Sequence, residues 1–195
     1  MPHSNPLQPL HDEDQEAYAE IDRFQDALRR CGGRAGGAYL RHFQQIQKSL
    51  RFFEDYLLPH MENEEAFVFP FLEEHLPRLE SVIALLLSEH EDFRQILIQL
   101  KSWIQSLGEF PEQSPILWEK IKTQGFYLSV LLKTHIWAES HGIYKPAEEE
   151  LNLREKQSLE RLLKKKTPHS IPVPASSSKL NLETWYSACG TGACI

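Results

Sequence analysis

The sequence predicts an all-α protein: an antiparallel up-down four-helix bundle with a short extra C-terminal helix and a flexible tail. Three observations predict it. Apolar residues recur at steps of three and four along four long stretches, and none alternates with period two for long enough to make a strand. The breaks between stretches are short and rich in Gly or Pro, so consecutive helices must double back on one another. Two of the stretches also carry the same motif, His-x-x-x-Glu, on their apolar stripe.

Residues 1–10 hold three prolines and read as a leading arm. The first helix runs from His11 to Arg30, with Ala17, Ile21, Phe24 and Leu28 on one stripe, and Cys31-Gly-Gly-Arg-Ala-Gly-Gly37 breaks it. The second runs from about 38 to 75; Pro59 inside it removes one hydrogen bond and predicts a kink, and Leu76-Pro77 ends it. The third spans Leu79 to Leu107, and Gly108 to Pro115 is a loop. The fourth spans Ile116 to Tyr144, with Pro146 marking its end, and a short helix follows from Leu153 to Lys166. From Thr167 onward Pro168, Pro172, Pro174 and Ser176-Ser177-Ser178 mark a linker. The expected organisation is an arm at 1–10, the bundle at 11–147, a short helix at 148–166, and a linker with a cysteine-containing tail at 167–195.

Composition narrows the function classes. The 195-residue chain is 41% hydrophobic and 25% charged, with a formal net charge of -7. Nucleic-acid binding would call for a basic patch, and the basic run Lys164-Lys165-Lys166 reads instead as cations at a helix C-terminus. The longest apolar run, Val82 to Leu87, is far short of the ~20 residues of a membrane span. The first residues lack the basic and apolar regions of a secretory signal, so the expected location is cytoplasmic. Three cysteines, Cys31, Cys189 and Cys194, imply no disulfide framework for the body. No P-loop, dinucleotide turn or nucleophile elbow is present.

The two motifs are His60-Met-Glu-Asn-Glu64 and His135-Ile-Trp-Ala-Glu139. A helix turns about 100° per residue, so a step of four offsets two side chains by only about 40°. Each His and Glu can then reach one metal, or two metals bridged by the carboxylate. All of them continue apolar stripes. Ile46, Leu50, Phe53 and Leu57 lead into His60 and Glu64, then Phe67 and Phe71. Ile121, Gly125, Leu128 and Leu132 lead into His135, Glu139 and Gly142. On the third helix Ile83, Leu86 and Leu87 precede His90, with Phe93, Leu97 and Leu100 beyond. Burying an ionised Glu without a partner costs several kcal/mol. A metal supplies the charge; buried His–Glu ion pairs are the structural alternative. Mixed His and carboxylate donors suit iron, manganese or zinc, and without thiolates the set is unlike structural zinc.

With His60-x-x-x-Glu64-Glu65 before Phe69-Pro70, Glu89-His90, and His135-x-x-x-Glu139 before Tyr144 and Pro146, the chain resembles the haemerythrin-like, HHE cation-binding family over about residues 11–147. The resemblance implies a carboxylate-bridged pair of non-haem irons, with Glu64 and Glu139 bridging and His60, His90 and His135 as terminal ligands. Two positions depart from the family. A first-helix histidine is usual; here Asp14, on the stripe of Ala17 and Ile21, and His11 are equal substitutes, with Gln15 third. Oxygen carriers have a second histidine four residues after the first on the third helix, where this chain has Arg94, which weighs against reversible oxygen transport.

His75 and His141, near helix ends, read as surface or capping residues, and Trp103, Trp118 and Trp137 as packing residues. The tail segment Ser187-Ala-Cys189-Gly-Thr-Gly-Ala-Cys194-Ile resembles the cysteine segment of diaminopimelate epimerase, but the rest of that fold is absent and its activity is not carried over. Such a tail suits a redox pair, an iron-handling arm, a site for a protein partner, or a segment altered by modifying enzymes. The expected function is metal and ligand binding rather than enzymatic: sensing or binding oxygen, nitric oxide or iron. Iron–sulfur repair or iron delivery is one alternative, and a di-iron oxidase or peroxidase, or a precursor with a modified tail, is another.

Overall fold

The chain enters its first helix earlier than its prolines suggest. In the computed structural model, which describes residues 5–31, 37–109 and 114–164, α1 spans Gln8–Arg30. The Asn5 side chain accepts the Leu7 N–H at 2.9 Å, and Pro9 fits the first turn, where no N–H is needed. The stretch read as a leading arm is therefore anchored in its second half: Leu7 and Leu10 are both buried.

The second rod consists of α2 (Gly37–Phe52), a π turn (Phe53–Leu57), α3 (Leu58–Asn63), a second π turn (Glu64–Val68) and α4 (Phe69–His75). A 3-10 turn, Pro77–Leu79, leads into α5 (Glu80–Glu109). The fourth rod is α6 (Ser114–Glu139), a π turn (Ser140–Tyr144) and α7 (Lys145–Glu150); α8 (Leu153–Lys164) follows. Asn152 and Glu155 form the reciprocal cap that starts α8: Asn152 Oδ1 accepts the Arg154 N–H, and Glu155 accepts the Asn152 N–H. Among the described residues there is no strand, and no helix is long and apolar enough to cross a membrane.

Each of the three π turns ends two residues before a proline: Pro59, Pro70 and Pro146. A proline inside an α-helix lacks an N–H and clashes with the carbonyl four residues back. Here the residue before each proline donates five residues back instead, Leu58 to Phe53, Phe69 to Glu64 and Lys145 to Ser140. The wider turn accommodates the ring and the rod continues. Pro146 therefore does not end the fourth rod, which runs on to Glu150.

A π turn also adds one residue to the stripe. Beyond Glu64 the buried position is Val68, whereas Phe67, expected on the stripe, is 38% exposed. Beyond Glu139 it is Ile143 rather than Gly142. Leu87 is exposed as well, since Leu86 already holds the stripe that continues to His90. Trp137 does not pack inside either: it is 64% exposed and stacks on His141.

The residue pairs joining neighbouring rods descend along one as they climb the other. Glu13 meets His60 while Glu20 meets Gln45. Glu65 meets His90 while Glu54 meets Lys101, and Asp22 of α1 meets Lys133 of α6. The interior holds two apolar clusters. One gathers Ile21, Phe24, Phe53, Phe93, Leu128 and their neighbours. The other gathers Leu10, Val68, Phe69, Leu86, Tyr144 and Leu159 of α8. Between them along every rod lies a buried polar layer. Residues 167–195, with Cys189 and Cys194, lie outside the described residues, as do Lys165 and Lys166 of the basic run.

Candidate metal centre

Six side chains form the polar layer: Asp14 from α1, His60 and Glu64 from the second rod, His90 from α5, and His135 and Glu139 from α6. Each is 3% exposed or less. The α-helical spacing upstream of each π turn sets both His–Glu pairs. His60 Nε2 lies 3.5 Å from Glu64 Oε2, and His135 Nε2 lies 2.9 Å from Glu139 Oε1.

Two donor groups result. Glu64, His90, His135 and Glu139 offer ligand atoms all within 4.8 Å of one another, and so do Asp14, His60 and Glu139. Glu139 belongs to both. Glu64 also sits between them, its Oε2 lying 3.7 Å from His90 Nε2. Of the two first-helix candidates, Asp14 joins a group and His11 does not. His11 lies almost a full turn further along α1, its ring edge-on to Tyr144 at 5.9 Å, with Nδ1 buried and unpartnered. Gln15 is exposed. Arg94 adds no ligand; its guanidinium binds Glu65 at 2.6 Å.

Four glutamate and tyrosine side chains around the layer had no role assigned from sequence. His60, His90 and His135 each share Nδ1 with a carboxylate at 2.7 Å: Glu13, Glu65 and Glu89 respectively. Each glutamate is the chain neighbour of an inward-facing group, Asp14, Glu64 or His90, and it grips the histidine of the next rod. One residue is about 100° of helix rotation, so a residue beside a core ligand points at the adjacent rod. Tyr144 O–H donates to Glu64 Oε1. A sequence signal existed for all four, as Glu-Asp, Glu-Glu, Glu-His and the conspicuous Tyr before Lys-Pro, but it says nothing about which histidine each glutamate reaches.

Those bonds leave each Nε2 as the free nitrogen, aimed into the layer. His90 and His135 then face each other Nε2 to Nε2 at 3.0 Å, lone pair to lone pair unless a proton or a cation lies between. His60 Nε2 and Asp14 Oδ1 face each other in the same way at 3.3 Å. Both Asp14 oxygens, His60 Nε2, Glu64 Oε2 and Glu139 Oε1 are buried without a hydrogen bond. Buried polar atoms are normally paired, and here five converge on one layer.

The local charge balance follows. Burial raises Asp14 to about 6, a rise that His60 partly offsets. Burial, then Glu139 nearby, holds Glu64 well above the usual carboxylate range. Burial would lower the histidines, but Glu64 with Asp14 and Glu13 holds His60 well above the imidazole range, and Glu139 with Glu89 holds His135 at about 10. Burial would also raise Glu139, yet His135 and His90 keep it below the carboxylate range. Without a metal, the layer balances its carboxylates with protons. Three carboxylates and three imidazoles with their free atoms turned inward fit cations of the Fe, Mn or Zn type. Cys31, the described cysteine, is buried in the apolar cluster away from this layer.

Residues 5–147, well over half of the chain, match the family model described as the Hemerythrin HHE cation binding domain. No curated protein matches the chain.

Proposed function

Because the chain belongs to the hemerythrin HHE cation-binding family, we propose that it is a non-haem di-iron protein, built as an antiparallel up-down four-helix bundle, that binds or senses a small diatomic molecule or iron itself. Asp14 and His60 would hold one iron, His90 and His135 the other, with Glu64 and Glu139 shared. Iron, when bound, supplies the redox-active position that takes a ligand such as oxygen or nitric oxide. The chain's residues do the rest. Glu13, Glu65 and Glu89 keep each imidazole in one tautomer and orientation. Tyr144 anchors Glu64 at one oxygen and leaves the other to the centre. Phe69 of the second apolar cluster stacks on His90 at 5.8 Å and closes that end of the layer.

The observation that supports this reading is the set of five buried, unpaired donor atoms converging from α1, the second rod and α6. Asp14 adds a second reading within it. A carboxylate in place of a neutral first-helix nitrogen favours the ferric state, which favours iron handling over reversible oxygen carriage. Metal analysis and the optical spectrum of anaerobically purified protein test the proposal. A pair of irons per chain is expected in the wild type, with most of it lost in His60→Ala with His135→Ala. Full occupancy in that double variant, or zinc alone in the wild type, overturns it.

A further inference from the structure

α6 differs from α1 in what it turns to solvent. The exposed positions of α1 include Asp12, Glu16, Asp22 and Arg23, as on an ordinary surface helix. From Lys120 to His141 of the fourth rod the exposed positions recur only at steps of three and four, forming a single ridge. Tyr127, Val130 and Trp137 stand on it, 52%, 56% and 64% exposed, and Ile116, one step of four before Lys120, is 65% exposed. Lys120 is the only Lys, Arg, Asp or Glu on the ridge over that span. Beside Tyr127 runs a groove of about 610 Å³, lined by Ile98 (64% exposed) and Trp103 together with the polar Asp92, Gln95, Gln99 and Gln124. A ridge with a 3-4 repeat and apolar side chains at its centre matches the pattern of a helix–helix seam.

We propose that this ridge packs antiparallel against the same ridge of a second copy, making a two-fold homodimer. The pattern is complementary to itself under such an axis. Tyr127 of one copy meets Val130 of the other at the centre, Thr123 meets Thr134, and Lys120 meets Trp137. The last pair sets a cation against an indole face. A parallel arrangement would set Lys120 against Lys120. The groove is placed to receive Trp137 of the second copy, since Lys120 Nζ lies 5.8 Å from the Trp103 ring at its rim. Five apolar side chains, each more than half exposed, offer on the order of 500 Å² per copy. A standard interface buries about 800 Å² per partner, so the ridge supplies most of what a stable dimer needs and its polar flanks the remainder.

Sedimentation of the full metal-loaded chain between about 1 and 100 µM tests this. A dimer is expected. Val130→Glu, at an exposed site, should leave the fold and metal content intact and weaken association at least ~100-fold, because it buries a charge against Tyr127. Tyr127→Lys should do the same. Combining the two sets opposite charges face to face in the antiparallel register and should restore the dimer. A chain that stays monomeric at about 100 µM overturns the proposal. A dimer indifferent to Val130→Glu, or one that dissociates only when the residues after Lys164 are removed, overturns it as well.

Discussion

Asp14 and Glu20 both stand on α1, six residues and about 120° of helix rotation apart, and both are buried to within 2%. Their surroundings are opposite. Glu20 Oε1 accepts from Ser49 at 2.7 Å and from Gln45 at 2.9 Å, and Oε2 is paired with Arg23. Both Asp14 oxygens lack a hydrogen bond. Glu20 is a buried acid that the protein satisfies by itself. Asp14 is a buried acid that the protein leaves without a hydrogen bond, in a group that could hold a cation. Burial alone therefore does not mark a candidate ligand; the mark is burial with unused lone pairs that converge on other unused lone pairs.

The largest expected effect separates the two environments by removing the metal. Binding only the folded state stabilises it by about 4 kcal/mol when free metal is a thousandfold above Kd. Calorimetry of metal-free against loaded protein at matched pH should show the metal-free form melting well below the loaded one. Equal melting would mean that Asp14, Glu64 and Glu139 need no cation, as Glu20 needs none.

Glu20→Gln should cost about 1–3 kcal/mol, since one end of its amide cannot accept, leaving either Arg23 or both Ser49 and Gln45 without an acceptor. The cost should be the same with and without metal, and iron content should not change. Denaturant titration in both states checks this; a cost confined to the loaded form would draw Glu20 into the metal layer.

Asp14→Asn should act in the opposite direction and on a smaller scale. Iron content should fall, while the metal-free protein gains roughly 1 kcal/mol by shedding an unpaired buried charge. pH sharpens the contrast. The folded-state value for Asp14, about 6, lies above its ordinary 3.8, so its burial penalty is complete above pH 6 and relieved as pH falls towards 4. Acidification from pH 7 to 5 should stabilise the metal-free protein through this group while it strips metal from the loaded one. The variant should lose the first effect. An Asp14→Asn protein that keeps its iron and its pH dependence would remove Asp14 from the centre.

Much of this contrast was legible in the amino-acid order. The step of four in His60–Glu64 and His135–Glu139, and the apolar stripes they continue, depend on helix geometry alone, and α-helix occupies the residues between each pair. Asp14 aligns with Ala17 and Ile21 by the same arithmetic. The choice between Asp14 and His11 was not legible. Both lie near one face of α1, and only the height of the second and fourth rods beside it decides that Asp14 meets His60 while His11 meets Tyr144. Nor were the roles of Glu13, Glu65 and Glu89, because a residue beside a ligand points between rods and its partner depends on which rod stands there.

By itself, then, the sequence determined which residues share a face: helix, stripe and the order of ligands along each rod follow from a rotation of about 100° per residue. Tertiary structure decided the register between faces. Three prolines are carried through the rods by π turns rather than ending them, and the turns before Pro70 and Pro146 move the stripe by one residue, from Phe67 to Val68 and from Gly142 to Ile143. The physical reason is that a proline forbids one hydrogen bond without dictating the alternative. A break and a wider turn both satisfy it locally, and the apolar side chains that the continued rod buries, Phe69, Leu72 and Ala147 among them, select the turn.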